Sequence, residues 1–139
     1  MKTILILVGK TQSKIFKLGI DDYVSRIEHY MPFSITTIPE LKNTKSLSED
    51  QQKQKEGELI LKEIQPSDTV VLLDEHGADF RSIEYANWLK QKQNTARRLI
   101  FIIGGPYGFS PDVYARANEK ISLSRMTFSH QMVRLIFTE

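Results

Sequence analysis

Five short apolar runs stand out along the chain, and segments with helical periodicity separate them. Unbroken aliphatic and β-branched runs are typical of strands that are buried on both faces of a parallel sheet. One run alternates apolar and polar residues and stops at Pro39, which favours a strand nearer a sheet edge. The pattern predicts strands over Thr3–Val8, Phe33–Ile38, Thr69–Leu73, Leu99–Ile103 and, as the shortest, Ile121–Leu123.

The intervening segments predict helices. An amphipathic helix is expected from Ser13 to about Tyr30, because apolar residues recur three and four positions apart. Ser48 followed by Gln51 is a capping-box sequence that opens a second helix towards Ile64. The first turns of this helix, residues 49–58, are polar all round and are expected to face solvent, with the anchoring residues further along. The residues expected to anchor these two helices are Phe16, Ile20, Tyr23, Val24, Ile27, Tyr30, Leu59, Leu61 and Ile64.

Three further helices complete the pattern. One runs from Ser82 to about Gln91 and carries Ile83, Ala86 and Leu89. Ser110-Pro111 is an N-cap followed by proline at the first helical position, which predicts a short helix to about Asn118. The last helix starts after Ser129, with Met132, Val133, Leu135 and Ile136 on one face.

This regular alternation of strands and helices predicts an α/β sandwich with a largely parallel sheet. A length of 139 residues suits a single domain spanning the whole chain. No closing residue such as glycine or asparagine ends the last helix before Glu139, so we expect the sequence to be truncated within that helix.

The composition of the chain limits the classes of function that it can have. The chain is 40% hydrophobic and 26% charged, as in globular proteins, and it has no cysteine, which excludes disulfides, thiolate catalysis and cysteine-based metal sites. The opening apolar run is too short for a membrane span or a secretory signal, so we expect a cytoplasmic protein without membrane partners. Nineteen basic and seventeen acidic residues give a formal charge of +2, which permits a nucleic-acid partner without requiring one. Lysines 10, 14 and 17 share one helix side and, with lysines 42 and 45, could follow a phosphate backbone.

Candidate chemistry lies where the strands end, because ligands of open α/β sheets bind beyond the carboxyl ends of the strands. Three such turns carry unusual residues, namely 74–77, 104–110 and 122–130. Gly104-Gly105 leaves a buried strand directly and allows close approach of a ligand to the backbone. The turn matches neither the dinucleotide nor the P-loop fingerprint, and an ordinary strand-to-helix connection remains the alternative.

Titratable residues give weaker signals. His29, His76 and His130 lack the spacing of a metal site, so no metal is expected. His130 and Arg134 lie four apart on one helical face, where a solvated helix start is the alternative to a functional pair. Asp74 and Glu75 leave their strand towards opposite sides, which argues against a catalytic carboxylate pair.

Several motifs occur together in a diagnostic order: Gly9 after the first strand, Met31-Pro32-Phe33, Leu73-Asp74 with Gly77, the run 103–108 (IGGPYG) and the run 123–130 (LSRMTFSH). With these motifs the chain resembles the ribosomal RNA large-subunit methyltransferase H family, a small branch of the SPOUT methyltransferases. The resemblance spans the whole chain and implies a SPOUT-type, mostly parallel sheet with a C-terminal trefoil knot. It also implies a homodimer.

The resemblance further implies methyl transfer from S-adenosylmethionine to N3 of a pseudouridine in 23S ribosomal RNA, without a metal. His130 or Arg134 would then remove the N3 proton or stabilise the resulting anion. The weak net charge predicts recognition of shaped RNA in an assembled ribosome rather than of free RNA. By position, the cofactor contacts implied are Leu73, Gly104, Gly105, Leu123, Ser124, Arg125, Met126, Thr127 and Phe128.

Two other functions stay open at this point. A non-catalytic nucleotide-binding module of flavodoxin-like type would use the same crevice, with residues 104–110 as an anion loop. The family usually continues past the position of Glu139 with the rest of the last helix and a tail containing Tyr and His. A folded but inactive domain is therefore the second alternative.

Overall fold

The fold is described by a computed structural model that covers residues 1–42 and 44–139. Strands and helices alternate in the predicted order, with one 3₁₀ turn at Thr44–Ser46. The elements are β1 (Lys2–Val8), α1 (Lys14–Glu28), β2 (Phe33–Ile38), α2 (Glu49–Lys62), β3 (Thr69–Asp79), α3 (Ser82–Thr95), β4 (Arg98–Ile103), α4 (Pro111–Arg116), β5 (Glu119–Ser122) and α5 (Met132–Thr138).

The five strands form one parallel sheet in the order β2-β1-β4-β3-β5, which confirms the predicted α/β architecture. The continuous apolar strands β1, β4 and β3 occupy the centre, where both faces of the sheet are covered. Leu5 on β1, for example, lies opposite Phe101 on β4 and Ile35 on β2. The alternating strand β2 lies at an edge, as its pattern predicts.

Alternate residues of each central strand feed two separate cores. One face, with Ile4, Ile6 and Ile102, packs against α2 and α4. The opposite face, with Leu5 and Phe101, packs against α1, α3 and α5. Each fully buried side chain of this kind contributes about 1.5–3 kcal/mol, so the two cores fix the sheet on which the strand ends are presented.

Three helix faces differ from the predicted ones. Tyr30 follows α1 and is 89% exposed, because the helix ends at Glu28 before its next turn reaches the core. On α3, Ile83 is 74% exposed, and Trp88 is the buried residue instead. The expectation that residues 49–58 face solvent is correct for residues 49–51, 55 and 58, but it is wrong for Glu56 and Gly57, which are buried between α2 and its neighbours.

The edge between β3 and β5 also departs from the prediction. Strand β3 runs on to Asp79, and its pairing with β5 shifts register, so that both Leu73 and Ala78 lie opposite Ile121. Residues 74–77 therefore bulge out at the carboxyl end of the sheet. Gly77 permits this close approach of the bulge to β5, because a Cβ at this position would lie 2.6 Å from the Ile121 backbone nitrogen.

After β5 the chain returns from the β5 edge to the β1 side of the sheet. Gln131 accepts a hydrogen bond from the Gln12 amide at 2.9 Å, and α5 then packs against α1. The Phe137 and Phe101 rings lie 4.9 Å apart between centroids, which anchors α5 on the sheet. In the part of the chain that the structure describes, no helix is long and apolar enough to cross a membrane.

Candidate functional site

A cavity of about 580 Å³ opens at the carboxyl ends of β3, β4 and β5. The three turns singled out in the sequence form its walls, as the position of strand ends in a parallel sheet requires. Its volume lies within the range of small-molecule sites, roughly 300–1,000 Å³. The predicted contact residues that line it are Leu73, Gly104, Gly105, Leu123, Ser124, Met126, Thr127 and Phe128.

Two predicted residues do not line the cavity. Arg125 turns away from it and donates a hydrogen bond to Asp79 at 2.7 Å. This pair lowers the pKa of Asp79, first through the hydrogen bond and then through the charge of Arg125. Arg134 is the second exception, since it is fully buried behind the site.

The glycine loop, residues 104–110, forms a tight turn between β4 and α4. The Gly108 amide donates to the Gly105 carbonyl at 3.2 Å, and Gly108 has a φ of 83°, a conformation that glycine adopts without strain. The loop ends at Ser110, whose hydroxyl accepts from the Val113 amide at 3.3 Å as the predicted N-cap of α4. Gly104 and Gly105 therefore present bare backbone to the cavity.

Helix α2 supports this loop from behind. A Cβ on Gly57 would lie 2.4 Å from the Ser110 hydroxyl oxygen, so the missing side chain lets α2 approach the start of α4 closely. The preceding residue, Glu56, is 6% exposed and faces Gly105. Burial raises the pKa of Glu56, while a hydrogen bond with Gln52 opposes that shift.

The C-terminal wall, residues 122–130, is held mainly by local hydrogen bonds. The Ser122 hydroxyl donates to the Ser124 carbonyl at 2.7 Å, and the Ser124 hydroxyl accepts from the Met126 amide at 2.9 Å. Leu123 and Phe128 contribute apolar surface to the cavity. Met126 also lines it while remaining 74% exposed.

His130 lies at the end of this wall and lines the cavity. Partial burial, followed by the nearby charge of Arg134, lowers the pKa of His130, and Glu40 opposes the shift. The imidazole is therefore neutral at pH 7 and able to accept a proton. Of the two candidate catalytic side chains, only His130 reaches the cavity.

Arg134 joins α5 to the end of β1. Its guanidinium donates to the carbonyl of Val8 at 2.7 Å, the carbonyl of Gly9 at 3.0 Å and the hydroxyl of Thr11 at 3.1 Å. It also donates to the His130 carbonyl at 3.2 Å. Carbonyl oxygens thus balance its buried charge, and the side chain holds the backbone of His130 in place.

The turn after β3 contributes a polar pair. Asp74 accepts hydrogen bonds from the Tyr114 hydroxyl and, at 2.8 Å, from the His76 amide. Partial burial would raise the pKa of Asp74, but these hydrogen bonds, together with the charges of His76 and Lys120, outweigh it and lower the pKa. The pKa of Tyr114 is raised to about 12 by burial and by this carboxylate. Glu75 and His76 also line the cavity, and no group of His, Asp or Glu within residues 1–42 and 44–139 has the arrangement of a metal site.

Sequence reasoning missed Glu56, Gly57 and Tyr114. A usable signal existed for Gly57, because a glycine inside a helix costs about 1 kcal/mol relative to alanine and so points to close packing. Tyr114 gave no such signal, since one aromatic residue in a short helix is ordinary core material. Its position becomes apparent only when α4 is seen beside the β3 turn.

Comparison with known proteins agrees with this geometry. The family model described as "Predicted SPOUT methyltransferase" matches residues 1–139. A protein of Phocaeicola vulgatus named "Ribosomal RNA large subunit methyltransferase H" is 61% identical over 140 residues, covering 100% of this chain and 89% of the relative. Proteins with the same name from Bacteroides thetaiotaomicron and Porphyromonas gingivalis are 61% and 49% identical, with the same coverage.

Proposed function

The chain belongs to the SPOUT methyltransferase family, and we propose that it methylates large-subunit ribosomal RNA, using S-adenosylmethionine bound in the cavity at the carboxyl ends of β3, β4 and β5. The observation that carries the proposal is the convergence of the three sequence-distant turns on one cavity. Family membership favours this enzyme over a flavodoxin-like binding module that would use the same crevice.

The residues present fit the cofactor. Gly104 and Gly105 bring backbone amides and carbonyls to the cavity for the edge of an adenine, while Leu73 and Leu123 line it with apolar surface. Ser124 and Thr127 add hydroxyl groups for the polar parts of the ligand. The lining of the cavity thus combines apolar surface with polar groups that can orient a ligand, as cofactor sites do.

The proposed acceptor is N3 of a pseudouridine in 23S ribosomal RNA. Bound S-adenosylmethionine supplies an electrophilic methyl group, whose transfer to N3 breaks the carbon–sulfur bond, leaves the electron pair on sulfur and requires loss of the N3 proton. In such an in-line displacement, the protein contributes mainly by alignment of donor and acceptor.

We propose that His130 accepts the proton that N3 loses. It lines the cavity and its lowered pKa keeps it in the proton-accepting form at pH 7. Arg134 acts as a positioning residue, because its hydrogen bonds fix the start of α5 against β1 and hold the His130 carbonyl. The charge of Arg134 also helps to keep the imidazole neutral.

The proposal includes a trefoil knot formed by the C-terminal part of the chain. Supporting it, residues 122–130 run from the β5 edge across the strand ends to β1, and Gly77 lies against the backbone of β5. Such a return path passes the loops that follow β3 and β4. An experimental structure that traces an unthreaded chain would overturn this part.

A homodimer and a ribosomal substrate complete the proposal. On α1, Ile15 is 78% and Leu18 is 71% exposed, which leaves an apolar patch next to α5. We expect light scattering to give the mass of a dimer for the wild-type protein and a smaller fraction of dimer for Leu18→Glu. A wild-type monomer would contradict the dimer.

The proposed contact with ribosomal RNA is supported by exposed lysines 10, 14 and 17 at the same end of α1, where Lys17 also pairs with Asp21 at 3.3 Å.

The test of the function is methyl transfer from tritium-labelled S-adenosylmethionine to ribosomes that lack the modification. We expect label in 23S RNA, recovered as N3-methylpseudouridine after digestion to nucleosides, and much less label in a short naked RNA oligomer. No transfer to either RNA would refute the function, whereas equal transfer would refute only ribosome recognition. Thermal-shift measurements distinguish the methyltransferase from a flavodoxin-like binding module: S-adenosylmethionine should stabilise the protein, and FMN, ATP and NAD should not.

A further inference from the structure

Glu56 carries a carboxyl group that the fold buries without an ion-pair partner. The residue is 6% exposed; Gln52 hydrogen-bonds its carboxyl group, but its Oε1 has no hydrogen-bond partner among the residues that the structure describes. Across residues 1–42 and 44–139, no lysine, arginine or histidine lies within salt-bridge distance of it. Burying such a group is costly unless a favourable partner is present.

The position of this carboxyl group points to a ligand. Both of its oxygens lie 3.1 Å from the place that a Cβ on Gly105 would occupy, and Gly105 lines the cavity. One layer of backbone therefore separates the carboxylate from the cavity. Gly57 fixes this arrangement, because its close approach to Ser110 sets the depth of α2 against the loop.

The acidic residues on the opposite wall are differently placed. Asp74 accepts hydrogen bonds from Tyr114 and from the His76 amide, so its charge is already partnered. Glu75 is exposed and lies 3.5 Å from the His76 imidazole, where solvent screens it. Glu56, in contrast, is buried and lies against Gly105, which lines the cavity.

Burial raises the pKa of Glu56, so only its ionised form, with a negative charge at this place, would favour a cation in the cavity. The methyl donor carries a positive sulfonium, and the product left after transfer is a neutral thioether. The two ligands are otherwise nearly identical in shape. Charge is therefore a property by which the cavity can distinguish them.

We propose that Glu56 makes the cavity prefer the positively charged methyl donor over its neutral product, an inference that rests on the proposed function. The carboxylate acts through the Gly105 backbone as a specificity-determining group and does not contact the RNA. Its role is to favour replacement of spent product by fresh donor.

The experiment is a calorimetric binding series at pH 8 on wild-type protein, Glu56→Gln and Glu56→Asp. The ligands are S-adenosylmethionine, S-adenosylhomocysteine and sinefungin, in which an amine-bearing carbon restores the positive charge. Glu58→Gln is the matched control, because Glu58 is an exposed carboxylate on the same helix. Thermal unfolding of each variant shows that it is folded.

In Glu56→Gln we expect affinity for the two cationic ligands to fall on the order of tenfold, with little change for S-adenosylhomocysteine; one charge several ångströms away has an effect of this size. Glu56→Asp keeps the charge and should keep most of the preference, and Glu58→Gln should match wild type. If Glu56→Gln lost the same affinity for all three ligands, or lost none, this inference would be overturned and the proposed function would still stand. If wild-type protein bound none of them, the proposed function would fail as well.

Discussion

The two main walls of the cavity are built differently. The glycine loop, residues 104–110, is packed from behind, with Phe109 only 6% and Ser110 only 1% exposed and α2 pressed against both ends. The C-terminal wall, residues 122–130, rests on short-range serine hydrogen bonds and leaves Met126 74% exposed.

This difference indicates a division of labour. A loop that is packed on its far side is in its binding geometry before a ligand arrives, which lowers the ordering cost of binding. A wall with few buried contacts belongs to the less stable part of the molecule and can adjust around the ligand. The C-terminal wall depends on its two ends, namely β5 and the Arg134 anchor.

Removal of the Arg134 anchor should have the largest effect. Arg134→Met leaves the Val8 and Gly9 carbonyls without their donor in a buried place, so we expect the free energy of unfolding to fall by about 3 kcal/mol. Chemical denaturation measures this change. Arg26→Met is the control, since Arg26 is exposed, pairs with Asp22 and lies 5.8 Å from the centre of the Tyr23 ring. Equal stability of the two variants would show that Arg134 does not anchor the wall.

The packed wall is tested by Gly57→Ala. The new methyl group would meet the Ser110 hydroxyl at 2.4 Å, so we expect a loss of about 2 kcal/mol in stability and weaker binding of S-adenosylmethionine. Ser110→Ala removes the clashing oxygen, and the double variant should lose less than the sum of the two single changes. Strict additivity in this cycle would contradict the close contact.

Much of the fold that carries these two walls could be predicted from the sequence. The unbroken apolar runs of β1, β3 and β4, the Ser48 capping box and the Ser110-Pro111 cap all reflect local rules, and the structure confirms them. The burial of Glu56 could not be predicted in this way, because it results from α2 meeting the glycine loop about fifty residues away. The inward turn of Arg134 likewise depends on the chain crossing from β5 to β1.

His130 should affect turnover rather than stability, and the effect should be seen in the pH dependence of methyl transfer. Its pKa is lowered from 6.5, mainly by burial, so the imidazole is neutral and active at pH 7, and the rate should fall only as the pH drops below that lowered value. His130→Gln should reduce the rate roughly 10²- to 10⁴-fold, the usual contribution of a general base, and abolish this acid limb. An unchanged acid limb in the variant would assign the proton to another group.

Arg125→Gln should have the smallest effect. Arg125 and Asp79 pair at 2.7 Å on an open surface, with side chains 90% and 47% exposed. Such pairs contribute little, so affinity for S-adenosylmethionine and the unfolding midpoint should stay close to wild type. A large loss of affinity would show that this ion pair, rather than the ends of the segment, holds the C-terminal wall.

The central claim, that both walls enclose one methyl donor, is tested most directly by amide chemical shifts during titration with S-adenosylmethionine. We predict that the amide resonances of Leu73, Gly104, Gly105 and residues 123–128 change together and fit a single dissociation constant. The amide resonances of the exposed face of α1 should not change. Shifts confined to other parts of the molecule, or different dissociation constants for the two walls, would contradict it.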